Sequence, residues 1–320
     1  MVIQKRGVQL SQANVAFQIA SLIEAIESCE TPAFRVKRNR FGYERFEETK
    51  LSRRLSRATQ MFDLFDCQIA YDYSEHLQVF WDACHDIGLE RSPDGPVCLD
   101  EGGTAYLSHE ESMNVLVVRI RQLTRQQRYR RSQAVRRELA KRQAREITEY
   151  TNAVMDRYSR TTVVRVNFYY RTECHARLRV EHVFDDLDAM VAKHSRRSVF
   201  DHLIGYAYAV EQGDRRGGRG YHIHAAYFFN GNKICCDIYK ASEICRMWEE
   251  VTCSQGMAHS SNQERTPLGI TRGVGCIQKN DKLTREKTCE LMRYLVKLAQ
   301  PLHLKPQRAR CLRRGTLRSF

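Results

Sequence analysis

Two histidines separated by one isoleucine, His222 and His224, stand in the run GYHIHAAYFFNG (220–231), directly after the Gly- and Arg-rich stretch GDRRGGRG (213–220). Residues two apart on a β-strand project from one face, so a strand here sets the two imidazoles side by side, with Ile223 pointing the other way. If GDRRGGRG is a hairpin loop that closes with Gln212 opposite Tyr221, Glu211 falls opposite His222 on the imidazole face. Two imidazoles and a carboxylate suit a divalent metal of intermediate hardness and leave positions open for water or phosphate oxygens. A register slip of one residue would remove the glutamate. The plain alternative is a chance His-x-His beside a charged hairpin residue. A second pattern, YLVK, places Tyr294 and Lys297 one helical turn apart, so that phenol and ammonium share a face beside the stripe Leu291, Leu295, Leu298. By itself that pair reads equally as a tyrosine bordering a core and a lysine in water.

The elements that must carry these residues are legible around them. TTVVRVNFYYR (161–171), HLIGYAYAVEQ (202–212), GYHIHAAYFFNG (220–231) and GVGCIQK (273–279) have the β-branched, aromatic or small-residue composition of strands. Helical spacing marks 184–197, 239–252 and 285–300, the last stopped by Pro301. Strand, helix, hairpin, helix, strand, helix predicts an α+β fold: a central antiparallel sheet with packed helices. The earlier part of the chain reads as mainly helical, with apolar periodicity over 14–26 and 61–84 and a Pro, Gly and Asp-rich loop over 90–103. Residues 119–146 hold 11 basic and two acidic side chains, which predicts a basic helix or helix pair. A run so one-sided repels itself unless an anion lies against it, so Arg130, Arg131, Arg136 and Arg137 are expected DNA contacts. The division expected is 1–144, mainly helical, and 145–320, the domain with the histidines.

A net charge of +14, from 52 Lys and Arg against 38 Asp and Glu, favours a polyanionic partner. No apolar stretch reaches membrane-spanning length and MVIQKRGVQLSQ lacks the apolar core of a secretory signal, so a cytoplasmic protein without membrane association is expected. The 12 cysteines then read as reduced thiols. Cys235, Cys236, Cys245, Cys253 and His259 are the best zinc candidates, but their spacing is not that of paired knuckles.

A strand with His-x-His followed by a helix with Tyr-x-x-Lys resembles the HUH endonucleases, the single-strand nicking enzymes of rolling-circle replication and conjugation. TTVVRVNFYYR, YAVEQGDRRGGRGYHIHAAYFFNG, ICRMWEEVT, GVGCIQKND and YLVKLAQ stand in the order and spacing of the filamentous-phage (inovirus) gene II replication initiators and their prophage relatives. The likeness runs over roughly residues 145 to 320, including the Arg-rich ending KPQRARCLRRGTLRSF, and not over the first part of the chain. It implies a site-specific endonuclease and strand transferase. Glu211, His222 and His224 would hold Mg or Mn, Tyr294 would attack phosphorus, and Lys297 would supply positive charge. The product is a 5′-phosphotyrosine and a free 3′-hydroxyl. Position 298, four after Tyr294, is leucine, which favours a one-tyrosine mechanism. The partners implied are single-stranded or supercoiled origin DNA, gripped also by Arg215, Arg216 and Arg219 of the loop, and host replication proteins. A non-catalytic DNA-binding prophage regulator is the rival function. An RNA-binding sheet that stacks bases on Tyr169, Tyr170, Tyr227 and Phe228 ranks last.

Overall fold

The computed structural model of the chain describes residues 10–41, 43–65, 69–213, 220–264, 272–298 and 302–316. Helix α1 (Gln12–Glu27) begins where the Ser11 side chain accepts a hydrogen bond from the Asn14 N–H, and it fully buries Ile19, Leu22, Ile23 and Ile26. An antiparallel hairpin follows, β1 (Phe34–Arg38) with β2 (Glu44–Glu48). Phe34, Val36 and Phe46 share one face with Arg38, Glu44 and Glu48, so the apolar alternation that marks a strand is weak. Short helices α2 (Lys50–Leu55) and α3 (Ala58–Asp63) lead to strand β3 (Tyr71–Tyr73). Helix α4 (Glu75–Asp86) then starts at Ser74, which caps the Leu77 N–H.

The single helix expected over 61–84 is therefore two helices with a strand between them. Ser74 is a helix start, and Tyr71, Asp72 and Tyr73 pair with a strand from the far end of the chain. The stretch 90–103 is a loop, tied by bridges Glu90↔Val97 and Leu99↔Tyr106. Helix α5 (His109–Thr124) opens with a capping box between Ser108 and Glu111 and buries Met113, Leu116, Val117 and Ile120 against the stripes of α1 and α4. The long basic helix is α6 (Gln127–Met155).

Contacts divide the chain into two compact units: one up to Arg136 together with His303–Gln307, the other from Arg137 to Leu302 together with Arg308 onward. The boundary expected at residue 144 and the observed division both fall inside α6.

The second unit is built on β4 (Arg160–Tyr170), α7 (Val180–Ala192), β5 (Leu203–Gln212), β6 (Tyr221–Asn230), α8 (Asp237–Val251), β7 (Gly256–Ser260), β8 (Gly275–Gln278) and α9 (Lys282–Leu298). Strand β9 (Leu304–Pro306) pairs with β3 in the first unit, and β10 (Leu312–Arg314), inside the Arg-rich ending, adds to β5. The sheet order is β10-β5-β6-β4-β7, entirely antiparallel, with β8 also on the outer edge of β4. β7 takes the half of that edge from Val166 to Tyr170 and β8 the half from Arg160 to Val163.

Helices cover both sheet faces. On one, Trp248 of α8 stacks on Phe168 at 4.6 Å and donates from its indole to the Tyr169 carbonyl, while α7 supplies Asp186 to the Tyr170 hydroxyl. On the other, Ile147, Tyr150 and Val154 of α6 and Met292, Leu295 and Val296 of α9 pack on Val163, Ala207, Ala209, Ala226, Phe228 and Ile277. Three alanines in that floor let helices lie close. Gly205 marks the tightest approach, since a Cβ there would stand 2.9 Å from the Tyr150 hydroxyl and from Val154. Among the described residues no helix is long and apolar enough to cross a membrane.

Candidate metal centre

The site is a property of the register. The β5–β6 hairpin pairs Gln212 with Tyr221 and Glu211 with His222, as the expected closure requires. His224 lies opposite Ala209 on β5 and opposite Asn167 on β4. By alternation, Glu211, His222, His224, Asn167 and Arg165 all belong to the face covered by α6 and α9.

Glu211, His222 and His224 are buried, at 9%, 8% and 6% exposure, and they form the grouping of three ligating side chains among the described residues, with ligand atoms within 4.8 Å of one another. One carboxylate oxygen, Glu211 Oε2, is 2.6 Å from His224 Nε2 and 3.3 Å from His222 Nε2. The imidazole rings stand nearly perpendicular at 5.0 Å, and Tyr169 stacks on His222.

Protonation provides a test of whether these residues fit a metal. His224 Nδ1 is 2.6 Å from Asn167 Oδ1 and its Nε2 is 2.6 Å from Glu211 Oε2, so both ring nitrogens face acceptor oxygens. A neutral imidazole has one proton to give. Burial lowers the His224 pKa, and Arg165 and His222 reinforce that against the pull of Glu211, so the ring is held neutral. Desolvation pushes Glu211 up, but the adjacent His222 and His224 outweigh it and hold the carboxyl below its usual range. Whichever nitrogen keeps that proton, the other turns a lone pair to an oxygen, and a cation taken by Nε2 and Glu211, with Nδ1–H on Asn167, removes that conflict. The same orientation by an outer amide or carboxylate is general in metal-bound histidines. The donor set could hold a metal ion.

Tyr294 sits on α9, the helix packed on this same face, and is 51% exposed. Among the described residues its hydroxyl makes no hydrogen bond. Lys297 falls in the last turn of α9, with its side chain outside the described residues, as are Arg215, Arg216 and Arg219 of the hairpin loop. Arg130, Arg131 and Arg137 are exposed on α6, and no ion pair within the described residues takes up their charge. Arg136 differs from its neighbours, because it is ion-paired with the buried Glu75. The stacking platform of the RNA reading is closed: Tyr170, Tyr227 and Phe228 are buried at 3%, 0% and 0%.

Two residues of the site were not singled out from sequence, Asn167 and Arg165. The signal was present in TTVVRVNFYYR, where Val164, Val166 and Phe168 alternate with Arg165, Asn167 and Tyr169, so the polar set shares one face. No family model, no curated protein and no solved structure matches this chain.

Proposed function

We propose that this chain is a metal-dependent DNA endonuclease and strand transferase that works through Tyr294, in the manner of the HUH endonucleases its motifs resemble. The observation that carries this reading is the buried Glu211, His222, His224 cluster on the sheet face over which the tyrosine helix packs. A binding protein gains nothing from burying two histidines against a carboxylate at that position.

Glu211, His222 and His224 would hold the ion, Mg or Mn, and Asn167 would fix the His224 ring. When bound, the ion supplies Lewis-acid polarisation of a phosphodiester. The Tyr294 oxygen attacks phosphorus. The new bond is between the Tyr294 oxygen and phosphorus, the bond that breaks is between phosphorus and the 3′-oxygen, and the phenolic proton passes through solvent to that oxygen. A phenol is a weak nucleophile at neutral pH without help, and Lys297, one turn further along α9, is assigned to lend it positive charge. One phosphodiester is exchanged for another, so attack by a 3′-hydroxyl reverses the step and rejoins a strand. The free 3′-hydroxyl primes synthesis, which suits initiation of rolling-circle replication of a phage or prophage element in a bacterial cytoplasm with host replication proteins. Arg130, Arg131 and Arg137, with the loop arginines, would grip the DNA backbone.

The test is incubation of the full chain with single-stranded oligonucleotides and with supercoiled DNA, with magnesium or manganese, followed by denaturing electrophoresis. A metal-dependent covalent protein–DNA adduct is expected. A protein that binds DNA but yields no adduct under any of these conditions would instead be a binding module.

A further inference from the structure

Arg165 is a charged residue of the site face for which the described residues supply no anion. It stands on β4 opposite Ala226, two residues from Asn167, which is opposite His224. Its main chain is fixed with unusual care. β7 reaches only to Val166 and β8 only to Val163, so on the edge away from β6 no strand pairs with β4 at Arg165. Side chains close the gap: Asn262 Oδ1 accepts from the Arg165 N–H at 2.9 Å, and Ser260 Oγ donates to its carbonyl at 2.8 Å. Asn262 is itself held by donating to the Val163 carbonyl and to Asp237.

The side chain receives no such treatment. Arg165 Nε is buried without a hydrogen-bond partner, and no carboxylate of the described residues pairs with the guanidinium. Glu264 is the near acid, but it is 2.8 Å from His259 and pairs there. Burial accordingly pulls the guanidinium below its ordinary pKa, with Tyr169, Tyr294 and Glu264 acting the other way, yet an arginine stays charged at any working pH. A half-buried cation without an anion is costly, and the cost is recovered when an anion binds. By register Arg165 shares its strand face with Asn167, the partner of the His224 ring, so an anion that it binds lies on the face of the ligand cluster.

We propose that Arg165 is the phosphate-binding residue of this site, donating to a non-bridging oxygen of the phosphodiester beside Glu211, His222 and His224. Its planar donor fork suits two phosphate oxygens at once. That the phosphodiester is a DNA strand cleaved by Tyr294 rests on the function proposed above; the anion site itself rests on Arg165.

The two claims separate in one experiment on the full chain. Inorganic phosphate is titrated, with and without magnesium, and followed by ³¹P resonance broadening for wild type, Arg165→Met, which keeps the apolar stem, and Arg165→Lys, which keeps the charge. The adduct assay runs in parallel, and manganese binding and thermal melting check the ligand cluster and the fold. Arg165→Met is expected to keep its melting curve and its manganese, to weaken phosphate binding at least tenfold and to lower adduct formation at least as much. Arg165→Lys should recover part of both. Phosphate binding equal in wild type and Arg165→Met overturns the anion site. Should Met and Lys variants both misfold, binding of phosphate to wild type, lost on modification of arginine by phenylglyoxal and protected by phosphate, supports it, and no binding overturns it. Phosphate binding that depends on Arg165 in a wild-type protein forming no adduct keeps the anion site and discards the nicking reading.

Discussion

The two faces of the central sheet handle buried polar groups in opposite ways. Under α7 and α8, polar side chains satisfy one another: His194 Nε2 is 2.8 Å from the Tyr208 hydroxyl, which donates to Tyr227 at 2.9 Å, and Tyr170 donates to Asp186 at 2.8 Å. Among these side chains the atom left without a partner is Nδ1 of His194, a ring that burial pushes down to about 4 and so keeps neutral. Under α6 and α9 the surplus is of another kind. There the one proton of a neutral imidazole faces two acceptor oxygens, the buried His222 Nδ1 has no partner, and a guanidinium goes unpaired. A closed network gives rigidity to a core; the unfinished one, of ligand atoms and a cation, is what the proposed metal and phosphate would complete. Both faces share strands and residues one position apart, so alternation alone separates scaffold from site.

The sharpest way to break this contrast is to remove the nucleophile. Tyr294→Phe is expected to reduce covalent adduct on the order of 10⁴-fold or more, the scale of losing a covalent nucleophile, while DNA binding measured by anisotropy stays nearly unchanged. An undiminished adduct would move the chemistry off α9. Next come the ligands. His222→Ala or His224→Ala should suppress nicking, and Glu211→Ala should weaken it in a way that added metal partly restores. Asn167→Ala, which removes only the partner of the His224 ring, should cost about 10-fold to 100-fold in manganese affinity by calorimetry. Equal affinity would mean that the ring needs no orienting.

The opposite face should respond in stability and not in chemistry. Tyr227→Phe removes the acceptor of the fully buried Tyr208 hydroxyl and is expected to lower unfolding free energy by about 1–3 kcal/mol. Adduct yield per folded molecule should hold, and a change in it would erase the distinction between faces. His194 adds a pH signature. Its folded pKa lies below that of the unfolded chain, so the unfolded state takes up the proton first as pH falls. Stability is full above about 6.5 and declines towards about 4, by about 1.4 kcal/mol per pH unit. His194→Asn should flatten that part of a denaturation-midpoint profile; superimposable profiles would assign acid sensitivity elsewhere.

Smallest per residue are the exposed arginines of α6, which neither network holds. Replacing Arg130, Arg131 and Arg137 with Gln should flatten the slope of log affinity against log salt by about 0.7 for each contact to single-stranded DNA lost, about 2 in all. Arg136, occupied by Glu75, is expected to behave as a structural residue, so Arg136→Gln should lower stability more than it changes the slope. An unchanged slope in the triple variant would make the run a solvated helix face.

The catalytic-looking half of the chain was legible because its strands state their own alternation. VVRVNFYY and YHIHAAYFF are β-branched or aromatic enough to name as strands, and the Gly-rich loop fixed a closure from which the Glu211–His222 pairing follows. Other elements carry weaker signals. The β1–β2 hairpin has charged residues on both faces, β7 is the half-exposed GMAHS, and β3 and β9 are three residues each, made strands by pairing across the sequence. Neither composition nor periodicity encodes a partner more than two hundred residues away, so the helix expected over 61–84 absorbed β3. Arg165 escaped notice for a related reason. A lone arginine in a strand reads as solvated, and only the covering helices and the gap between β7 and β8 make it a half-buried cation.

The central claim is that the phenol of Tyr294 becomes joined to DNA phosphate when the Glu211, His222, His224 cluster is loaded. Trypsin cuts after Arg293 and Lys297, so the tetrapeptide YLVK isolates that tyrosine. The direct measurement is mass spectrometry of a nuclease-trimmed, trypsin-digested reaction with magnesium or manganese. Nucleotide mass is expected on YLVK, present with metal and absent with excess chelator. Nucleotide mass on any other peptide, or on none while DNA is bound, would contradict it.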